Sequence, residues 1–140
     1  MRFAGFLLCA ICLSAQPAPA PPANLNARVA LLQRLWNSAA SPSGVTFEEA
    51  RALRREHILW LIRNHPEHPA HATPEARIDP SAGRLADPQG YVEAAALWKE
   101  TAAKPDAPVE VIANAAYFLG VSERLAAYSI LNAVWPAQQG

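Results

Sequence analysis

Cysteine is nearly absent from this chain. Its 140 residues include two, Cys9 and Cys12, and both fall inside an apolar run at the start. No thiol follows them, which excludes a disulfide framework or a thiolate zinc site in the rest of the chain. Net charge is missing too, since twelve basic residues meet twelve acidic ones. A nucleic-acid binder needs a strongly basic face with stacking aromatics, so no nucleic-acid partner is expected. Glycine is scarce, at six residues, and nowhere forms a phosphate-cradling loop or a nucleophile elbow. There is no His-Glu-x-x-His pair, and no alternating pattern that would mark a strand.

The start of the chain has the features of an export signal. Arg2 precedes an apolar run, Phe3 to Leu13, and Leu13-Ser14-Ala15 follows with small residues. The run is too short to span a bilayer stably. Residues 1–15 are therefore expected to be a signal peptide cleaved after Ala15, leaving an exported protein, periplasmic or secreted, with no stable membrane insertion. A lipid anchor on Cys12 is disfavoured by Ile11 before it. Residues 16–23, rich in Pro and Ala, are expected to be a disordered spacer.

From residue 24 onward the apolar pattern is helical. Leu25, Val29, Leu32 and Trp36 share one face, with Arg28 and Arg34 off it. Thr46-Phe47-Glu48-Glu49 is a capping box, opening a helix to about Asn64 whose inner stripe is Phe47, Ala50, Leu53, His57, Trp60 and Leu61. Arg51, Arg54 and Arg55 on that helix are expected to be a solvated face paired with Glu48 and Glu56. Asp87-Pro88 opens a third helix with Tyr91, Ala94, Ala95, Leu97, Trp98 and Thr101 or Ala102 as its stripe, ending before Pro105. Pro108 opens a fourth, with Asp106 or Ala107 before it. The fourth carries Val111, Ile112, Ala115, Ala116, Phe118 and Leu119 and ends in a left-handed cap at Gly120. Ser122 caps a fifth, with Leu125, Ala126, Ile130, Ala133 and Val134 inward. The four tryptophans are expected to form the core, Trp135 being the one to suspect of exposure.

Ala94, Trp98 and Thr101 stand 32 residues before Ala126, Ile130 and Ala133, and each set is small, large, small at helical steps. Together with Tyr91, Pro105, Asn114-Ala115-Ala116 and Pro136, this resembles the tetratricopeptide repeat (TPR), a helical hairpin of about 34 residues. Thr101 replaces the family's alanine and Ala115 its leucine, and the resemblance covers roughly the last 50 residues. It implies a concave face on the fourth helix, at Glu110, Ala113, Asn114 and Tyr117, with Asn114 holding a ligand's backbone.

Residues 65–90 interrupt that picture. Pro66, Pro69, Pro74, Pro80 and Pro88 forbid the helix that a repeat array would place there. His65, His68 and His71 stand at steps of three within it. Such steps converge only on a helix or tight turn, so the expectation is an exposed, mobile His/Pro loop without a structural metal. His57 is expected in the core.

The expectation is an all-α fold of about five helices, built of antiparallel helical hairpins as a TPR-like α-solenoid fragment. Residues 24–65 form the first helix pair, 66–90 a proline-rich loop, and 88–136 the TPR-like helices, together a single domain at 24–140. The expected role is an exported protein–protein interaction or scaffold module with no catalytic activity and no cofactor. Its partner would be another protein or a second copy of itself. Glu110, Asn114 and Tyr117 are candidate partner-binding residues. Tyr128, Leu131 and Trp135 join them, because nothing in the chain covers that side of the last helix. The alternatives are an exported metal binder using His65, His68 and His71, and a small helical enzyme or accessory domain.

Overall fold

The computed structural model describes residues 24–38, 44–81 and 83–134. The expected signal peptide, the spacer and Trp135 lie outside these. The described residues form five α-helices and no strand. They are α1 (Leu25–Ser38), α2 (Phe47–Asn64), α3 (Pro88–Ala102), α4 (Val109–Leu119) and α5 (Arg124–Val134). Two short 3-10 turns, Pro69–Ala72 and Pro74–Ala76, lie between α2 and α3.

The helix starts follow from local chemistry. The Thr46 hydroxyl accepts from the Glu49 N–H at 3.2 Å, and the Glu49 carboxylate accepts from the Thr46 N–H at 2.8 Å. Each satisfies a donor that an isolated helix start leaves bare. The Asp87 carboxylate accepts from the Gly90 N–H at 2.9 Å, and Pro88 follows where a missing N–H is harmless. Three ends differ from expectation. Pro108 itself, not a residue before it, occupies the cap of α4. Gly120 is right-handed at φ −59°, so the 120–123 turn needs no left-handed residue. The Glu123 carbonyl accepts the Ala127 N–H, making Glu123 rather than Ser122 the cap of α5.

The helices pack in chain order: α1 on α2, α2 on α3, α3 on α4, α4 on α5. The links from α3 to α4 and from α4 to α5 are short, so each pair runs antiparallel. The core centres on Trp98, which is fully buried. The His71 ring meets it edge-on with centroids 4.7 Å apart, and Phe118 lies 6.5 Å away. Phe118 also stacks on Tyr91 at 5.3 Å. Ala94, Ala95, Ala115 and Ala116 are all buried, and small side chains of this kind allow close helix approach.

Facing residues differ from the expected stripes in four places. Trp36 is 41% exposed, whereas Leu35 beside it is buried. Trp60 is half-buried, so Trp98 alone among the described tryptophans is wholly core. Arg28 is buried rather than turned outward. On α5 the most buried described residue is Ala127, while Ala126 and Ile130 are only half-buried.

Candidate functional site

A proline cannot donate a backbone hydrogen bond, so a proline-rich segment carries carbonyls that no ladder will satisfy. In residues 66–87 side chains from the helices supply the donors. Arg54 Nη1 donates to the Glu75 carbonyl at 2.7 Å, and Nη2 to the Arg77 carbonyl at 2.8 Å. Arg51 reaches the Ala86 carbonyl at 3.4 Å. Arg55 Nε donates to the Asp87 carboxylate at 2.7 Å, and Nη2 reaches its other oxygen. The three arginines expected to form a solvated face instead clasp the loop. Arg54 is buried, and burial lowers its pKa to about 10 against the opposing pull of Glu75. Its guanidinium also lies 5.1 Å from the Trp36 ring. Long-range donors of this kind leave no periodic trace, because Arg54 looks like any other exposed position on the helix.

The loop is therefore packed. Ala70, Ala76 and Ile78 join the core cluster, and the first 3-10 turn lies against α4. The expected exposed His/Pro loop is corrected most sharply at His71, which is 3% exposed. Its Nε2–H donates to the His65 carbonyl at 3.1 Å. Burial is the main reason its pKa falls to about 4, so the ring is neutral in the fold. His68 turns its Nδ1 to accept from the Ala70 N–H at 3.1 Å, capping the first 3-10 turn. The His65 ring tilts against Trp60 at 5.4 Å, with Glu67 3.8 Å from its Nδ1. The three imidazoles are thus committed to separate partners. Among the described residues no group of three or more His, Cys, Asp or Glu is arranged to hold a metal ion.

Asn114 is the second correction. It is buried, and its Nδ2 donates to the Pro66 carbonyl at 2.9 Å and the His68 carbonyl at 3.3 Å. An amide at this position does hold extended backbone, but the backbone belongs to the chain's own loop. Both contacts are used internally, which removes Asn114 from the residues open to a partner. Glu110 and Tyr117, on the same helix, stay exposed. Arg77 stands 5.9 Å from the Tyr117 ring centroid, so the loop also frames the edge of this face.

The outer side of α5 presents Tyr128 at 61% exposure and Leu131 at 43%. These two stand one helical turn apart, and α4 is the helix against which α5 chiefly packs. A cavity of about 280 Å³ lies between α1 and the 3-10 turns. Val29, Leu32, Ala70 and Ala76 wall it, and Glu75 is the one acidic residue in its lining.

Sequence reasoning also missed the pairing of Arg28 with His57. Arg28 Nη1 lies 2.9 Å from His57 Nδ1, and both residues are buried. The guanidinium carbon sits 4.1 Å from the Trp60 ring centroid. An arginine in the first turn of a helix reads as a surface charge; nothing local marks it as buried.

No family model matches the chain, and comparison with curated proteins and solved structures found no match. No helix among the described residues is long and apolar enough to cross a membrane.

Proposed function

We propose that this chain is an exported, TPR-like interaction module without catalytic chemistry. It would dock another protein, or a second copy of itself, through the outer face of α5. The observation that carries the reading is the exposed pair Tyr128 and Leu131 on a helix supported mainly from one side. Apolar side chains grouped on an open helix face mark interfaces more often than isolated ones do. Glu110 and Tyr117 on α4 are also exposed and offer a second, polar and aromatic face, while Asn114 is withdrawn by its bonds to the loop. Trp135 belongs to the proposed surface by sequence alone.

The test compares wild type with a Tyr128→Glu, Leu131→Glu double variant by sedimentation and by pull-down. Both side chains are exposed, so the variant is expected to fold with an unchanged circular dichroism spectrum. The expected result is loss of self-association or of a captured partner. Identical monomeric sedimentation of both proteins, with the same captured proteins, overturns the reading.

A further inference from the structure

A guanidinium has donors only, so Arg28 Nη1 at 2.9 Å from His57 Nδ1 fixes the state of that ring. Nδ1 must present a lone pair, and the proton must sit on Nε2. The imidazole is therefore neutral, with 0% exposure, and its Nε2 has no hydrogen-bond partner among the described residues. A proton added at Nδ1 would set N–H against N–H and place two cations in contact where water does not reach. The charged groups acting on the ring are Arg28 from α1 and Glu56 from its own helix. Burial, the largest influence, and Arg28 both oppose protonation. Glu56, which is exposed, favours it less than burial disfavours it, so the pKa lies below the ordinary 6.5.

Beyond this bond α1 is held by packing, against α2 and the second 3-10 turn, and by the Trp36 ring beside Arg54. Its only buried side chains are Arg28, Leu32 and Leu35, with Leu25 and Val29 half-buried against the core. Among the described residues, the Arg28–His57 bond is the one hydrogen bond from an α1 side chain to another element. The hydrogen bonds of the arginine clasp run between α2 and the loop, and the rings around Trp98 come from α3, α4 and the loop; α1 touches these through Leu32 in the core cluster and the Trp36 ring beside Arg54.

We propose that Arg28 and His57 form an acid-sensitive latch, and that protonating His57 releases α1 while α2 to α4 stay folded. Release withdraws Val29, Leu32 and Gln33 from the cavity wall and uncovers the apolar surface that Leu25, Val29 and Leu32 close. This device is independent of the face on α5, because the two lie on different helices.

The test is amide hydrogen exchange on the full chain between about pH 7 and pH 5, with rates corrected for intrinsic chemistry. The comparison protein is His57→Asn, whose Oδ1 keeps an acceptor near the position of Nδ1 but cannot gain a charge. In wild type, α1 amides should lose protection several-fold relative to α3 amides as pH falls. In His57→Asn the ratio should stay flat. If that variant fails to fold, ring-proton NMR of wild type must show His57 titrating together with α1 exchange. Unchanged α1 protection in wild type, parallel loss in α1 and α3, or the same loss in His57→Asn overturns the latch. So does His57 titrating apart from α1 exchange.

Discussion

Asp87 ends one connection and begins one helix with the same carboxylate. It is held by Arg55 Nε at 2.7 Å while it accepts from the Gly90 N–H at 2.9 Å. Burial alone would raise its pKa, but Arg55 and the Gly90 N–H outweigh that and hold it below the ordinary carboxylate range. Gly90 makes this possible, since a Cβ there would meet Asp87 Oδ2 at 2.3 Å.

Asp87→Ala should therefore lose a helix cap and leave Arg55 only the Glu93 carboxylate at 4.0 Å, at a cost of roughly 2–4 kcal/mol. Arg55→Ala keeps the cap and should cost less. Urea unfolding of both variants checks the order. Equal losses would show that the cap adds nothing to the pair.

Arg54→Met keeps the stem that packs near Trp36 but removes both donors to the loop. Two partly buried carbonyls, those of Glu75 and Arg77, then lose their partner. The expected loss is roughly 3–5 kcal/mol if the loop stays in place, and less if it lifts into water. Limited proteolysis separates the two, because cleavage between residues 74 and 87 should quicken sharply in the variant that lifts.

His71 sets a pH window of its own. Its native pKa is about 4 against 6.5 when exposed, so the native state binds fewer protons. Stability should be constant above pH 6.5, fall as pH drops from there towards about 4, and level off below. The total is on the order of 3 kcal/mol. His71→Gln should flatten this part of the profile in thermal melts, whereas His65→Ala and His68→Ala should leave it in place. An unchanged slope in His71→Gln would show that other groups carry the acid sensitivity.

What the sequence reveals here divides by distance along the chain. The Thr46–Glu49 box and the Asp87–Pro88 start are visible because cap and helix are neighbours. The stripe around Trp98 is visible because its period is set by α3 itself. The partners of Arg54, Arg28 and Asn114 are not visible, because each lies more than twenty residues away. Their chemistry is unremarkable until the fold supplies the carbonyl or imidazole opposite. The proline-rich segment misleads for the same reason. Its prolines exclude an α-helix, but the donors that order it come from α2 and α4. Tyr128 and Leu131 were legible as an outward pair because they fall off the stripe of α5 that faces α4.

The arginine clasp has a consequence for how this chain can change. Arg54 and Arg51 bind main-chain oxygens, which every residue possesses. Glu75, Arg77 and Ala86 are thus held without reference to what their side chains are. Substitution at those three positions leaves the grip intact so long as the backbone keeps its path. A change at Arg54 releases two of them at once. From residue 75 to residue 86 the loop is a stretch where composition can drift over a fixed course, and the side chains that grip its carbonyls there come from one neighbouring helix.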